Sequence, residues 1–474
     1  MDFQRIYDEG LAQASYLIAC AATGEALIVD PTRDIDQYLD VIDEKGYRLT
    51  GVAETHIHAD FMSGARELAR STGARLYLSG EQGDGWEYDG LDDQTVEFLE
   101  DGQTFSVGNI ELEALHTPGH TPEHMSYLVT DHAKSDKPVI VLTGDFLFVG
   151  DLGRPDLLEA AAGEEGTADV GARQQYASVI EKFLELPDYV QVWPGHGAGS
   201  ACGSALGSVA SSTVGYERKT TWWREFVGED GAGEDAFVDR LLSGQPESPT
   251  YFGRMKKVNR DGVPYLGESP GPRRLLPDYV QNLLSEGARI VDLRDVEDFA
   301  EDHVAGAYSL PVLESVSTHA GWVLENGSGS LILVGDEEAA EEAARRLVRV
   351  GFDDIAGYVA DLDALAEPES RSSTDLVDTQ KAYQLWESEE ATVVDVRSAS
   401  EFEEGHIPDA LHRHYGTIAD ELDGIPRDQT LVVHCASGVR ANVAVSVLKA
   451  NGFEDVVNFP GGYDAWEDAG YPVE

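Results

Sequence analysis

The stretch "THIHADFMSG" (Thr55–Gly64) places two histidines and an aspartate at alternating positions directly after an apolar run. His56, His58 and Asp60 carry side chains that bind metal ions, whereas the next residue, Phe61, cannot. A single cluster of this kind is weak evidence for a metal site. It becomes informative only when further ligands follow along the chain in a suitable order.

Three further segments in the first half of the chain supply such ligands. They are "HTPGHTPEH" (His116–His124), "LTGDFLF" (Leu142–Phe148) and "WPGHGAG" (Trp193–Gly199). In each segment a glycine flanks a candidate ligand after a strand-like run, namely His120, Asp145 and His196. Glycine lets the backbone turn tightly, so that ligands from separate strands can point into one cavity. In layered α/β folds, sites form where strands end and loops begin.

The order of these groups makes the first block, about residues 1–260, similar to a metallo-β-lactamase-fold domain. Members of that family with two metals carry the motif HxHxDH, and Phe61 stands where the last histidine would be. The resemblance to the persulfide dioxygenases of this superfamily implies one non-haem Fe(II) per chain, held by His56, His120 and Asp145. Such a triad leaves three positions open for O₂ and a thiolate-type substrate. One zinc ion with a bound water is the chemical alternative.

Other polar residues of the block have two interpretations each. Three of them either orient the ligands or the substrate, or remain from a lost second metal site: His58, Asp60 and His196. Arg154 in "GRPD" resembles an arginine that supports the site or binds substrate, and a structural ion pair with Asp156 is the alternative. Cys202 lies in a stretch similar to the "SACG" of dioxygenases fused to rhodanese domains. It would accept or relay sulfur, or serve as a small buried apolar residue.

A second chemistry is predicted by "LVVHCASGVRANVAV" (Leu431–Val445). An apolar strand precedes Cys435, and a six-residue loop runs from Cys435 to Arg440 into a helix. Backbone N–H groups of such a loop form an anion nest, and the helix N-terminus adds partial positive charge. Both favour the thiolate, which can then hold a sulfane sulfur as a persulfide. The alternative is an inert buried cysteine.

This loop resembles the active loop of a rhodanese. The motifs around it are similar to those of a rhodanese domain: "DVR" (395–397), "GHIPDA" (405–410) and "GGYDAW" (461–466). The resemblance implies that Cys435 is the catalytic nucleophile and that Arg440 helps to bind an anionic substrate such as sulfite. The loop residues between them would also bind substrate: Ala436, Ser437, Gly438 and Val439.

The same pattern occurs twice. "IVDLRDVEDFAEDHVAGA" (Ile290–Ala307) parallels "VVDVRSASEFEEGHIPDA" (Val393–Ala410), about a hundred residues later. A period of this length indicates a tandem domain duplication, and alternating apolar runs and amphipathic stretches predict α/β folds with mainly parallel sheets. In the first copy Gly335 and Asp336 stand where the second copy has Cys435 and its neighbour. We therefore predict that the first copy is catalytically inactive and serves docking or spacing.

Two polar segments rich in Pro, Gly or Ser are predicted linkers, Asn259–Arg274 and Glu367–Asp375. They divide the α/β chain into three predicted domains. These are a metallo-β-lactamase αββα sandwich at 1–262, a rhodanese-like domain without the cysteine at 275–367, and a rhodanese domain with Cys435 at 376–474.

The composition narrows the partners and the compartment. The chain has 88 acidic and 34 basic residues and a net charge of −54. A charge this negative argues against nucleic acid and anionic membranes as partners. Three distant cysteines suggest no disulfide framework and fit a reducing compartment, and the start "MDFQRIYDEG" lacks a signal-peptide pattern. We predict a cytoplasmic, halophilic protein whose charged surface keeps it soluble in high salt.

Desalting is expected to make the chain lose compactness, because removing salt restores the repulsion among the excess carboxylates. Circular dichroism recorded in high salt and after dialysis into low salt measures this loss. An unchanged spectrum after desalting would contradict the halophilic interpretation.

The resemblances together imply two linked reactions in sulfide detoxification. Fe(II) and O₂ would oxidise the sulfane sulfur of a low-molecular-weight thiol persulfide to sulfite, with release of the thiol. Cys435 would transfer sulfur between persulfide and sulfite or thiosulfate, in a direction that the sequence leaves open. Similar fused enzymes imply a homo-oligomer, a dimer or a tetramer. The alternatives are a glyoxalase II-like thioester hydrolase with two zinc ions, and a non-catalytic sulfur carrier or sensor.

Overall fold

The chain was studied as a computed structural model, which describes residues 1–83, 85–157, 159, 166–203, 206–228, 231–324, 329–365 and 370–474. Within these ranges it divides into two compact units, Met1–Ser269 and Pro270–Glu474. Residues 367–369 of the second predicted linker lie outside the described residues. So does the predicted end, at residue 367, of the domain that lacks the cysteine.

The first sheet of the N-terminal unit takes its six described strands in chain order. They are β1 (Asp2–Asp8), β2 (Gln13–Cys20), β3 (Glu25–Val29), β4 (Arg48–Ala53), β5 (Arg75–Ser79) and β6 (Val96–Leu99). The first three pair antiparallel and the later ones pair in parallel. Strand β2 is buried on both faces, because Tyr16 and Ile18 point into the core between the sheets while Leu17 and Ala19 face the outer helices.

The second sheet runs in the spatial order β12-β11-β10-β9-β8-β7. Its strands are β7 (Thr104–Val107), β8 (Ile110–His116), β9 (Met125–Asp131), β10 (Ile140–Gly144), β11 (Gln191–Pro194) and β12 (Ser212–Thr213). Only the pairing of β10 with β11 is parallel among these strands. The inner face of this second sheet contributes Leu112, Tyr127 and Leu142 to the core that it shares with the first sheet.

Helices cover the outer faces of both sheets. Those described are α1 (Asp36–Lys45), α2 (Ala65–Thr72), α3 (Thr167–Glu181), α4 (Val214–Thr220), α5 (Glu234–Leu242) and α6 (Phe252–Asp261). Burying one large side chain such as Phe237 of α5 contributes about 1.5–3 kcal/mol. The unit is therefore the αββα sandwich that the sequence predicted. Helix α6 continues through Asp261, so the first residues of the predicted linker at Asn259–Arg274 are helical instead.

The C-terminal unit contains two four-stranded sheets in which all the described pairings are parallel. The first has the order β15-β13-β16-β17 and the second β20-β19-β21-β22, and β14 pairs antiparallel with β18. The strands are β13 (Arg289–Asp292), β14 (His303–Val304), β15 (Tyr308–Ser309), β16 (Leu331–Val334), β17 (Ile355–Val359), β18 (Arg371–Ser372), β19 (Ala391–Asp395), β20 (Leu411–His412), β21 (Thr430–His434) and β22 (Val456–Asn458).

Eight described α-helices accompany these strands. They are α7 (Pro277–Ser285), α8 (Val296–Glu301), α9 (Val316–Val323), α10 (Glu337–Arg349), α11 (Thr379–Glu387), α12 (Ala399–Glu404), α13 (Val439–Ala450) and α14 (Gly462–Asp468). Short 3₁₀ turns complete the described elements of the chain at Phe183–Glu185, Trp222–Glu225, Leu313–Ser315 and Leu362–Ala364. Among the described residues, no helix has both the length and the apolar character needed to cross a bilayer.

The duplication read from the sequence is reproduced in local contacts. In the first copy the ring of His303 stacks on Phe299, with centroids 3.9 Å apart, and its Nδ1 donates to the Phe299 carbonyl. In the second copy His406 stacks on Phe402 at 3.8 Å and makes the same hydrogen bond. The aspartate–arginine ion pairs are also matched, Asp292–Arg294 and Asp395–Arg397. The two copies are thus the same fold, each built around one parallel sheet.

Candidate functional site

Three of the predicted ligands converge at the ends of strands from both sheets of the sandwich. His56 follows β4, His120 follows β8 and Asp145 follows β10. His120 Nε2 lies 3.6 Å from Asp145 Oδ2, and His56 Nε2 lies 3.9 Å from the same oxygen. All three side chains are buried, and one ligand atom of each lies within 4.8 Å of the other two. The fold therefore brings the predicted ligand set together.

The atoms of this set fit a metal ion. His56 Nε2 and Asp145 Oδ2 are buried and lack any hydrogen-bond partner in the described part of the chain. An unpaired buried polar atom costs about 1–3 kcal/mol, so a cation that both atoms bind removes this cost. Two imidazoles and one carboxylate form a donor set suited to iron or zinc.

Hydrogen bonds at the far ring nitrogens orient both histidines. His56 Nδ1 lies 2.9 Å from Thr55 Oγ1, and that hydroxyl donates to Asp30 Oδ2 at 3.0 Å. The hydroxyl oxygen can therefore accept the proton on His56 Nδ1. His120 Nδ1 donates to the carbonyl oxygen of Arg154 at 3.0 Å. Both contacts keep the proton on Nδ1 and leave the Nε2 lone pair directed at the metal position.

The electrostatics of the pocket favour the metal-binding protonation states. Burial lowers the pKa of His56 well below its usual value, and the neighbouring His58 lowers it further. Burial also lowers the pKa of His120. Burial would raise the pKa of Asp145, but His196 beside it holds that pKa well below its usual range. The imidazoles are therefore neutral and the carboxylate is ionised, as metal ligands must be.

The loop "GRPD" packs directly against the ligands. A Cβ atom at Gly153 would lie 1.7 Å from the carbonyl oxygen of Asp145 and 3.1 Å from His120 Cβ. Only glycine permits such a close approach of two backbone segments. Replacing Gly153 would therefore displace two of the three ligands.

Arg154 lies inside the protein, with 1% of its surface exposed. Its guanidinium donates to both carboxylate oxygens of Asp156, at 3.2 and 2.7 Å, and to the carbonyl oxygen of Ala201 at 3.1 Å. Its own backbone N–H donates to the carbonyl oxygen of Cys202 at 3.1 Å. Of the two interpretations from the sequence, these contacts match the structural ion pair, and they join the His120 side of the site to the Cys202 segment.

His58 lies beside His56, with ring centroids 4.3 Å apart, but does not belong to the group of three ligands. Its Nε2 lies 3.2 Å from Asp30 Oδ1, and its ring packs on Phe61 with centroids 4.4 Å apart. Burial alone would lower the pKa of His58, but Asp30 raises it to about 9. His58 is therefore held as a cation in an internal ion pair, and the fully buried Phe61 supports its ring.

His196 bridges two carboxylates beside the ligand set. Its Nδ1 lies 2.7 Å from Asp145 Oδ1, and its Nε2 lies 2.8 Å from Asp60 Oδ2. Burial opposes protonation, but Asp145 and Asp60 raise the pKa of His196 to about 10, so both ring nitrogens donate. Asp60, His196 and Cys202 also form a second group of potential ligands within 4.8 Å. Burial raises the pKa of the Cys202 thiol well above its usual value.

His124 has a structural role that the sequence did not reveal. Its Nε2 accepts a hydrogen bond from the backbone N–H of Asp145 at 3.0 Å, and its Nδ1 lies 2.9 Å from Thr117 Oγ1. Burial lowers its pKa well below the usual value, so it stays neutral. The only sequence signal was its place at the end of the glycine-flanked segment. His124 thereby fixes the backbone of a ligand without belonging to the ligand set.

The cysteine loop of the C-terminal unit joins a strand to a helix as the sequence predicted, but it is shorter than the predicted Cys435–Arg440, because Val439 and Arg440 already belong to the helix. Cys435 follows β21 and is 1% exposed, and α13 begins at Val439. The backbone N–H of Gly438 donates to Cys435 Sγ at 3.0 Å. Gly438 has φ +97°, a conformation that favours glycine. The sulfur thus accepts one backbone N–H beside the start of a helix, a place that favours an anion.

Arg440 is bound to a carboxylate in a partly exposed ion pair. Its two terminal nitrogens donate to the two oxygens of Glu401, at 2.6 and 2.7 Å. Burial would raise the pKa of Glu401, but Arg440 lowers it to about 2. This bidentate pair offsets the charge that was predicted to attract an anionic substrate, so anion binding by Arg440 stays a prediction.

Replacing Glu401→Gln is expected to reduce the stability of the chain at neutral pH by about 1–2 kcal/mol, a figure discounted for the partial exposure of the pair. Because the folded pKa of about 2 lies below the usual 4.5, this stability is present above pH 4.5 and is lost as pH falls towards 2. Differential scanning calorimetry between pH 7 and pH 2 measures the gap between variant and wild type. Glu404→Gln, on the exposed side of the same helix, is the control. A gap that stays constant with pH would contradict the expectation.

The first copy has Gly335 in the place of Cys435, and the next residue, Asp336, caps a helix. Asp336 Oδ1 accepts a hydrogen bond from the backbone N–H of Ala339 at 2.8 Å, as the N-cap of α10. A carboxylate at that place satisfies the helix terminus itself and repels other anions. The Cys-less copy packs on the copy that carries Cys435, where Asn442 Nδ2 donates to Ser309 Oγ at 2.7 Å. Its docking role stays a prediction.

The metallo-beta-lactamase superfamily matches residues 8–196 of the chain. The solved structure of a metallo-beta-lactamase from Staphylococcus aureus is 40% identical and covers 75% of this chain and 98% of its own, with a TM-score of 0.66. The chain belongs to the metallo-β-lactamase superfamily. The metallo-β-lactamase domain is followed by a second known fold, because the rhodanese-like domain family matches residues 378–469, around Cys435.

Relatives of the metallo-β-lactamase domain include two kinds of enzyme. A hydroxyacylglutathione hydrolase from a Polaromonas species is 35% identical over 184 residues, 38% of this chain and 61% of the relative. The mitochondrial persulfide dioxygenase ETHE1 of Bos taurus is 30% identical over 189 residues, 38% of this chain and 63% of the relative. In both cases the match spans less than two thirds of the relative's length.

Proposed function

We propose that the metallo-β-lactamase domain is a persulfide dioxygenase with one non-haem iron. The reaction is RSSH + O₂ + H₂O → RSH + H₂SO₃. The S–S bond breaks, the sulfane sulfur loses four electrons and O₂ accepts them, while the thiol leaves with a proton. The observation that carries the proposal is the convergence of His56, His120 and Asp145 with two unpaired ligand atoms.

The environment of the ligand set supports one metal ion rather than two. Phe61 offers no ligand atom where the two-metal motif has its last histidine, and His58 is held by Asp30 through Nε2, while its buried Nδ1 has no hydrogen-bond partner among the described residues. The similarity to a persulfide dioxygenase also supports a site with one metal ion. Three protein ligands leave open positions on a six-coordinate ion for two reactants.

The residues around the ligands have distinct tasks in this proposal. A bound Fe(II) would supply O₂ activation and polarisation of the persulfide sulfur. His196 stays protonated between Asp145 and Asp60 and keeps Asp145 Oδ2 directed at the ion. Arg154 holds the Cys202 segment beside the site through its backbone and side-chain contacts. The neutral Cys202 thiol is then a hydrogen-bond donor and a candidate sulfur acceptor at the same edge.

The rhodanese domain is proposed to move sulfur at Cys435. The Cys435 thiolate attacks the outer sulfur of a persulfide, the donor thiolate leaves, and Cys435 becomes a persulfide. Sulfite then attacks that outer sulfur, giving thiosulfate and regenerating the Cys435 thiolate, and the reverse sequence consumes thiosulfate. The Gly438 N–H bond stabilises the thiolate in either direction. Linking the two activities raises the local concentration of the shared sulfite.

The test combines metal analysis with an oxygen electrode on the full chain expressed in iron-replete medium. About one iron per chain and oxygen uptake that depends on added glutathione persulfide are expected. Sulfite and thiosulfate together should appear in a one-to-one ratio with the oxygen consumed, since each O₂ yields one sulfite and Cys435 converts part of that sulfite to thiosulfate. Iron-loaded protein that consumes no oxygen with this persulfide would contradict the proposal.

A dinuclear zinc thioester hydrolase is the second candidate. The group Asp60, His196 and Cys202 favours it, because these side chains offer ligands for another ion beside the first. The hydroxyacylglutathione hydrolase relative favours it as well. About two zinc ions per chain, hydrolysis of S-lactoylglutathione and no oxygen uptake would establish this function in place of the dioxygenase.

A further inference from the structure

We infer that Asn259 is a positioning residue of the metal centre. It lies in the last turn of α6, beyond the region matched to the superfamily, and is 8% exposed. Its side chain contacts the backbone of the metal loop, defined here as residues 55–63. The contact joins residues about 200 positions apart in the chain.

The amide of Asn259 makes three hydrogen bonds to this loop. Its Nδ2 donates to the carbonyl oxygens of His58 and Phe61, both at 2.7 Å, and its Oδ1 accepts from the N–H of Ser63 at 2.9 Å. The loop is irregular and buried, so its backbone groups cannot pair within a helix or a sheet. A short side chain with two donors on one atom and an acceptor on the other matches all three groups at once.

Other residues hold the beginning of the same loop. The N–H of Thr55 donates to Asp30 Oδ1 at 2.7 Å, and the N–H of Ile57 donates to Glu123 Oε1 at 2.7 Å. These bonds fix the backbone on both sides of His56. In the second half of the loop, Asn259 holds the carbonyls of His58 and Phe61, and Ser63 has further support from its bridge to Thr32 and its hydroxyl bond to Glu54.

The effect of Asn259 reaches the ligands through Asp60. Asp60 lies between the two carbonyls that Asn259 holds, and its carboxylate binds His196 Nε2. His196 in turn holds Asp145, one of the three ligands. A loop that loses the Asn259 contacts can shift Asp60, release His196 and let Asp145 rotate. Helix α6 therefore completes the metal centre from outside the matched domain.

The test measures metal affinity and not the proposed reaction. Full-length, metal-free protein is titrated with Co(II), and the visible absorption of the bound ion reports both the Kd and the coordination geometry. Asn259→Asp keeps the size and the acceptor for Ser63 but sets an oxygen against two carbonyl oxygens. Asn259→Ala removes all three bonds. Lys257→Ala, exposed on the same helix, is the matched control.

Both Asn259 variants are expected to raise the Kd for Co(II) by about 10–100-fold and to change the absorption bands, while Lys257→Ala matches wild type. Wild-type Kd and bands in Asn259→Asp would overturn the inference, even if its thermal stability falls. If Asn259→Ala fails to fold, the Co(II) titration of the near-isosteric Asn259→Asp variant tests the inference by itself. The inference rests on the metal centre alone. Wild-type protein that binds Co(II) yet consumes no oxygen when loaded with iron would refute the dioxygenase and leave this inference standing.

Discussion

The substitution His120→Ala is expected to lower persulfide-dependent oxygen uptake by more than about 100-fold. The substitution deletes one of the three proposed protein ligands and leaves His56 Nε2 and Asp145 Oδ2 as the remaining two. Altering groups that merely support a ligand already costs about 10–100-fold in metal affinity or activity, so loss of a ligand exceeds that range. The oxygen electrode measures the uptake, and metal analysis of the same sample reports the iron content.

The control for this experiment is His132→Ala, because His132 is an exposed histidine of the same domain and lies outside the ligand set. Thiosulfate sulfurtransferase activity serves as an internal reference, since it depends on Cys435 in a separate sheet. His120→Ala is expected to leave that activity unchanged. Oxygen uptake near the wild-type rate in His120→Ala would contradict the assigned ligand set.

The second large effect is expected for Cys435→Ser, which should lower sulfurtransferase activity by several orders of magnitude. Loss of an enzyme's nucleophile typically has an effect of this size. Serine is nearly the same size and can still accept the Gly438 N–H bond, so the loop should keep its conformation. Its hydroxyl, however, is a far weaker nucleophile than a thiolate and cannot form a persulfide. The assay follows thiosulfate formed from glutathione persulfide and sulfite.

Oxygen uptake should persist in Cys435→Ser when a low-molecular-weight persulfide is supplied directly. This result separates a dioxygenase from a mere sulfur carrier or sensor, in which Cys435 only stores sulfur. Cys20→Ser is the matched control, because Cys20 is a buried thiol at the end of β2. Retained sulfurtransferase activity in Cys435→Ser would show that Cys435 is not the nucleophile.

Short-range patterns in the sequence were sufficient for much of the fold and site. The αββα sandwich and the two parallel sheets follow from apolar runs and their alternation with helices. The Cys435 loop leads from a strand into a helix as predicted, because these parts lie within a few residues of one another, although the helix already includes Val439 and Arg440. The ligands His56, His120 and Asp145 could be named because each ends a strand beside a glycine or within a dense cluster of ligands.

Contacts between segments that lie far apart in the chain could not be predicted from such short-range patterns. The sequence placed Asn259 at the start of a linker, whereas it closes a helix and binds the metal loop. The sequence suggested that Arg440 attracts an anion, and the fold pairs it with Glu401. Arg154 had two interpretations, and its three internal contacts match the structural one.

The sequence by itself thus determined the element types and the tandem repeat, and it named the candidate metal ligands and the candidate nucleophile. These depend on local hydrogen bonding, turn geometry and side-chain periodicity, all of which act over a few residues. Only the tertiary structure decided which way His58 points and which residues hold the ligands. Those outcomes depend on which hydrogen-bond partner each buried polar group meets in the packed core. Such a partner can come from a distant part of the chain, and Asn259 contacts the metal loop from about 200 residues away.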